Sequence, residues 1–266
     1  MISEKGDDDL STLTSQVKGN VAEITIQSPP ANALSSSILQ DLSKELDQME
    51  SDPSIKAILL KGEGRFFSAG ADIKEFTSLQ GEDDYKGLAA KGQQLFSRIE
   101  NFHIPVIAAI HGAALGGGLE LAMSCHIRYV ADDAKLGLPE LNLGIIPGFA
   151  GTQRLPRYVG TAKAYEMILS GVPISGEEAA RLGLANQSFS NEELFEKAEQ
   201  LAQTIAQKSG PTIHHVMKLI PYAHTSQFEA GNHAEADAFG EVFGNEDAKE
   251  GIQAFIEKRK PAFKNQ

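Results

Sequence analysis

The sequence has no tryptophan and a single cysteine, Cys125. One thiol cannot close an internal disulfide, so the fold must rest on its core, and a reducing compartment, the cytoplasm, is the expectation. Positive charge is scarce. There are 24 Lys and Arg against 36 Asp and Glu, a formal net charge of −12. Broad binding to nucleic acid or to an anionic membrane needs a basic face, so neither is expected as a partner. Asp7-Asp8-Asp9 and the stretch 226–250 are acidic, whereas the tail 251–266 sets Lys258, Arg259, Lys260 and Lys264 against Glu257. No clean membrane span exists, because the most apolar stretch, Ile104–Met123, is broken by Pro105, His111, four glycines and Glu120. The N-terminus lacks both a signal-peptide pattern and an Arg-rich transit pattern. His111, His126, His214 and His215 lack metal-ligand spacing, and no metal is expected. The GxGxxG and Gly-Lys-Ser/Thr phosphate fingerprints are missing too.

What remains is an ordinary globular composition, 41% hydrophobic and 23% charged, over 266 residues. Val21–Ile26, Ile55–Leu60, Val106–Ile110 and Ile127–Ala131 read as strands, being apolar and rich in β-branched residues. Helical spacing joins Ile38, Leu39, Leu42, Leu46 and Met49, ended by Asp52-Pro53, and joins Tyr85, Leu88, Leu95, Phe96 and Ile99. Lys61–Gly64 and residues 77–84 read as polar loops, the latter as the most flexible. A helix is predicted over 161–170, closed by Gly171, and Ser175 and Ser190 each open a capping box. After 191 only helical patterns occur, including Leu194/Ala198/Leu201/Ile205, a segment after Pro211, Phe239/Phe243, and Ile252/Phe255/Ile256. An alternating α/β part over 13–190 therefore precedes a helical part over 191–266, with 1–12 as a disordered extension.

The centre of the chain is Ile104–Met123. An apolar strand breaks at Gly112 and Gly116-Gly117-Gly118, and Leu-Glu-Leu-Ala-Met then starts a helix, with Cys125 packing within it. Strand, glycine turn and helix together point backbone N–H groups and a positive dipole end at a ligand. Two further pieces join it: Ala69-Gly-Ala-Asp72, a second small-residue turn, and Pro139-Glu140, a second carboxylate. Two such turns can supply the two N–H donors of an oxyanion hole, and Glu120 and Glu140 can supply acid and base.

The runs Phe67–Glu75 (FSAGADIKE), Ala114–Ala122 (ALGGGLELA) and Leu138–Leu155 (LPELNLGIIPGFAGTQRL) closely resemble the enoyl-CoA hydratase (crotonase) family. The resemblance runs from about Val17 to the Lys258-Arg-Lys260 run. It implies a crotonase-like ββα spiral core over 13–190. The C-terminal helical region, 191–266, is then implied in trimerisation and in closing the acyl-CoA site. It also implies a homo-oligomer, a trimer or dimer of trimers. The implied substrate is an acyl-CoA thioester, with no separate cofactor because coenzyme A enters as part of it. The family's oxyanion N–H groups match Ala71 and Gly117, and its two hydratase glutamates match Glu120 and Glu140. Ala69, Ala71, Asp72, Ile73, Lys74, Gly116 and Gly117 match the strip that binds substrate and coenzyme A. Lys74, and Lys260 in the tail, are the cations expected for its phosphates. Leu119 departs from the pattern, since a cysteine is frequent there.

The implied activity is reversible syn hydration of a trans-2-enoyl-CoA to 3-hydroxyacyl-CoA, as in fatty-acid β-oxidation. Glu120 is expected to activate water and Glu140 to protonate C2. Isomerases of the family commonly keep only the second glutamate, so the presence of both favours hydration. Enoyl-CoA delta isomerisation, or another acyl-CoA reaction of this framework, is the alternative. An RNA-binding homologue is a distant one, opposed by the acidic charge.

Overall fold

The computed structural model describes residues 12–76, 81–224, 230, 233–235, 237–239 and 246–264. Residues 1–11 of the expected extension lie outside these, while Thr12 already holds Gln27 N–H on its carbonyl (2.8 Å) and donates to Asp41 (3.1 Å).

A six-stranded sheet carries the fold. Strands β1 (Leu13–Lys18), β2 (Val21–Ile26), β3 (Ala57–Gly62), β4 (Val106–Ile110), β6 (Ile127–Ala131) and β9 (Gln187–Phe189) lie in that order. Only the β1–β2 pair is antiparallel; the remaining pairs are parallel. Parallel strands are covered on both faces, so β3 and β4 read as continuous apolar runs. One face puts Ile24, Ile58, Leu60, Ala108 and Ile110 into the main core with Ile38, Leu42 and Leu46 of α1 (Ser36–Ser51). Each such fully buried Leu or Ile contributes about 1.5–3 kcal/mol relative to exposure. The other face, Val21, Ala57, Leu59, Ile107 and Ala109, packs on Ala198, Ala202 and Ala206 of α8 (Asn191–Ala206). The first helix of the expected C-terminal region thus completes the core of the α/β part.

A second, thinner layer lies alongside. It consists of β5 (Ala113–Leu115), β7 (Lys135–Gly137) and β8 (Ile174–Ser175), extended by two one-residue bridges, Ser68 to Ala114 and Leu34 to Ala71. Each turn of chain therefore gives one strand to the large sheet, one short piece to the small layer, and then a helix. This is the ββα spiral. The helices are α1, then α2 (Ile73–Phe76) and α3 (Glu82–Glu100), then α4 (Gly117–Ser124). They are followed by α5 (Gly151–Val159), α6 (Thr161–Ser170), α7 (Gly176–Leu182), α8, α9 (Gly210–Leu219) and a C-terminal helix, Glu246–Ile256.

Several expectations shift. β3 starts at Ala57 rather than Ile55 and takes in Lys61 and Gly62, because register with β2 continues to Ile26–Gly62. Helix α3 begins at Glu82, inside the expected 77–84 loop, of which 77–80 lies outside the described residues. Cys125 is the buried residue just past α4 rather than within it. Ser175 caps α7 by accepting Glu178 N–H (3.1 Å), whereas the Ser190 hydroxyl donates to the Glu193 carboxylate (3.0 Å) instead of capping α8.

Candidate active site

All eight residues of α4 are buried, and Glu120 is its one charged residue. A helix apolar all round belongs in the interior. Two devices fix it there. At its C-terminal end the buried Arg128 donates to Cys125 O (2.6 Å) and stacks 4.3 Å from the Tyr158 ring centroid, a cation where the helix dipole is negative. At its N-terminal end Gly116 takes φ +51°, which turns the chain from β5 into the helix. A β-carbon on Gly118 would stand 2.3 Å from Ser68 O, so only glycine admits the Ser68–Ala71 segment beside α4.

That segment comes within reach of the helix start. Ser68 N–H donates to Ala113 O (3.1 Å), and Leu115 N–H donates to Ser68 O (3.0 Å). On its other side, Leu34 N–H donates to Gly70 O (2.7 Å) and Asp72 N–H to Leu34 O (3.1 Å). This pattern skips Ala71, and the helix start skips Gly117. Neither N–H has an acceptor among the described residues. A β-carbon on Gly117 would lie 3.2 Å from Ala71 N, so the two free donors are neighbours. Glu75 holds the strip in place, its carboxylate accepting Ser36 N–H (2.9 and 3.0 Å) and Ser36 Oγ–H (2.8 Å) at the start of α1.

Glu120 is 1% exposed. Its Oε1 accepts Gly151 N–H (2.6 Å) and Phe149 N–H (2.9 Å), while Oε2 has no protein donor among the described residues. These donors open α5, where Ala150 is left-handed at φ 71°. Burial pushes the Glu120 carboxyl up to about 7, and the neighbouring Glu140 adds to the rise. The Gly151 and Phe149 N–H groups and the Arg154 charge oppose it.

Glu140 opens a 3-10 turn, Glu140–Leu143, that leaves β7 after Pro139 and ends at left-handed Gly144. A β-carbon on Gly116 would sit 3.0 Å from its Oε1, so the carboxyl lies over the glycine turn. Its Oε2 is buried without a partner among the described residues, and burial holds this carboxyl above the usual range as well. Gly116 N–H donates to Gly137 O (2.9 Å), tying the glycine turn to the end of β7, from which Glu140 follows. Two carboxyls, both raised by burial, therefore flank a pair of free N–H donors, the equipment for acid/base chemistry on a carbonyl compound whose oxygen gains charge.

Ala71, Gly116, Gly117, Glu120 and Glu140 thus come together. Ala69 is exposed, Asp72 half-buried and Ile73 exposed on the continuing strip. Lys74 lies in α2, with its side chain outside what is described. Lys260 is exposed beyond the C-terminal helix, and among the described residues no hydrogen bond or ion pair joins it to the glycine turns; its neighbour Arg259 pairs with Glu250 (2.6 and 2.9 Å). Sequence reasoning missed Phe149, Gly151 and Arg154 as individual participants, although all three lie in the third motif. Among the described residues no three His, Cys, Asp or Glu cluster as a metal site, and no helix is long and apolar enough to cross a membrane.

A family model described as Enoyl-CoA hydratase/isomerase matches residues 16–266. A Bacillus subtilis protein named probable enoyl-CoA hydratase is 63% identical over 247 residues, 92% of this chain and 96% of that one. A Clostridium acetobutylicum short-chain-enoyl-CoA hydratase is 39% identical over 97% of this chain and 99% of its own. The solved enoyl-CoA hydratase of Bacillus anthracis superposes with a TM-score of 0.91 at 35% identity, covering 96% of this chain and all of that one. With the spiral, the paired glycine turns and both carboxyls in place, the chain belongs to the enoyl-CoA hydratase/isomerase family.

Proposed function

We propose that the protein is an enoyl-CoA hydratase, a hydro-lyase that adds water reversibly and syn across the C2=C3 bond of a trans-2-enoyl-CoA to give a 3-hydroxyacyl-CoA. The observation that carries this is the pair of separately held carboxyls, Glu120 and Glu140, beside the unaccepted N–H groups of Ala71 and Gly117. Water attacks C3 and the electrons of the double bond move onto the thioester oxygen. The Ala71 and Gly117 N–H groups hold that oxygen where its charge develops; one such donor is worth about 3–4 kcal/mol. Glu120 takes the proton lost by water, and its free Oε2 is the acceptor. Glu140 gives a proton to C2. The enzyme regains its starting state by passing a proton back between the two carboxyls through solvent.

The finer assignments rest on the same reading. The strip Ala69–Lys74 and Gly116–Gly117 lines the thioester and coenzyme A, and Lys74 and Lys260 meet its phosphates. The chain works as a homotrimer or a dimer of trimers in the cytoplasm. Exposed apolar side chains on the C-terminal helix (Ile252, Phe255 at 85%, Ile256) and on α6 (Tyr165, Leu169) support assembly. The single buried cysteine supports the compartment.

The test is loss of conjugated-thioester absorbance when purified protein meets crotonyl-CoA, with Glu120→Gln and Glu140→Gln alongside. Fast loss that collapses in both variants is the expected result. A folded protein that binds coenzyme A, leaves crotonyl-CoA untouched and moves the double bond of a 3-enoyl-CoA would replace hydration with isomerisation.

A further inference from the structure

Arg154 is 3% exposed, in the first turn of α5. Buried guanidinium groups are expensive and persist where each donor is used. Here NH1 donates to Phe149 O (2.8 Å), while Nε (3.1 Å) and NH2 (2.9 Å) both donate to Glu100 Oε2 at the end of α3. Phe149 is therefore gripped from two sides: its carbonyl accepts from Arg154, and its N–H donates to Glu120 Oε1. Between Phe149 and Gly151 lies Ala150, a non-glycine residue in the left-handed region. That turn aims the Gly151 N–H at Glu120. Phe149 also packs edge-on against Phe96, centroids 5.3 Å apart, so α3 and α5 are joined at this point by both rings and charge. Arg154 donates to neither Ala71 nor Gly117, the two residues whose N–H groups are free.

We propose that Arg154, anchored by Glu100, is the positioning residue of Glu120: by holding the Phe149 carbonyl it fixes the two N–H groups that bind Oε1 and leaves Oε2 free for water. This rests on the hydratase reading above. Losing the grip loosens both donors and removes a nearby cation. Each change disfavours the ionised carboxylate, so the pH below which Glu120 is protonated and idle moves up.

The experiment compares kcat, KM and the pH profile of kcat/KM for crotonyl-CoA hydration in the wild type, Arg154→Lys, Arg154→Met and Glu120→Gln, with urea unfolding as the check on folding. Arg154→Lys keeps a cation for Glu100 but loses the planar fork. It is expected to lower kcat by roughly tenfold or more, in the range known for residues that orient a reactive ligand. KM should stay within about twofold, because Arg154 makes no contact with the donors that would hold the thioester. The acid limb should move to higher pH, further in Arg154→Met. If Arg154→Met does not fold, Arg154→Lys decides alone. Profiles of Arg154→Lys and wild type that superpose overturn the proposal, as does a loss confined to stability with the limb unmoved. Should the wild type itself leave crotonyl-CoA unhydrated, the hydratase reading falls, and that outcome is distinct from an unmoved limb in active variants.

Discussion

Glu120 sits in a socket of backbone donors inside a fully buried helix, whereas Glu140 stands on a single 3-10 turn at the edge of the small layer. Glu120 has one oxygen bound twice, to Gly151 and Phe149. Glu140 has one oxygen buried with no partner among the described residues. Burial raises both, and Glu120 still reaches about 7 although two loop N–H groups and a buried arginine pull the other way, while a backbone N–H alone opposes the rise of Glu140. Donors that favour the anion suit a base, and an oxygen without a donor suits a carboxyl that carries its proton. On the proposed reading, the environments and not the residue types divide the work.

The largest test of that division is to remove each carboxyl in turn. Glu120→Gln and Glu140→Gln should each cut kcat by roughly 10²–10⁴-fold, the usual range for a lost acid or base. The pH profiles should differ. Glu120→Gln should lose the acid limb, near pH 7 in the wild type. Glu140→Gln should keep it and move it lower, since Glu140 raises its neighbour. Profiles exchanged between the two variants would reverse the roles.

Gly117→Ala comes next and strikes the ground common to both carboxyls. Its β-carbon would stand 3.2 Å from Ala71 N and 3.2 Å from the Phe149 ring, in the space where the thioester oxygen has to enter. A fall in kcat of about 10²–10³-fold is expected, as for loss of an oxyanion donor, with urea unfolding shifted far less. Equal sensitivity of activity and stability would place the glycine in packing alone.

Much of this site was legible in the sequence because its chemistry sits in contiguous motifs. Ala71, Gly117 and Glu120 each stand in a run whose local pattern of small residue, turn and helix start announces itself. The socket was less legible. Phe149 and Gly151 reach Glu120 from 29 and 31 residues away, and Arg154 reaches Glu100 across 54. No local periodicity encodes such pairings. The small layer escaped for a related reason, since its members are three residues or fewer and two are single bridges. Strand β1 escaped because only Leu13 of its six residues is buried, which leaves no alternation to read. The large strands and α1 were visible because burial there repeats along the chain.

A third test reads the socket through stability. In the fold the Glu120 carboxyl is raised from 4.5 to about 7, so the native state favours its protonated form. That contribution is complete below about pH 4.5 and is lost as pH climbs through 7. Wild-type stability by urea unfolding should therefore fall between pH 5 and pH 8 more than that of Glu120→Gln, by about 3 kcal/mol at most. The same slope in both proteins would mean that Glu120 is not strained by burial.

The smallest effect should come from Gly92→Ala on α3, which separates the two carboxyls most cleanly. The added β-carbon would stand 2.3 Å from the Phe149 ring, so the ring must move or α3 must yield, at about 1–3 kcal/mol of stability. Phe149 donates its N–H to Glu120 and makes no hydrogen bond to Glu140 among the described residues. A shift of the ring that carries its backbone along should weaken that bond and raise the acid limb of kcat/KM by a fraction of a unit. The limb belonging to Glu140 should hold still. Movement of both limbs together would mean that the two carboxyls share one mechanical support, and the contrast between socket and turn would then be one of hydrogen bonding alone.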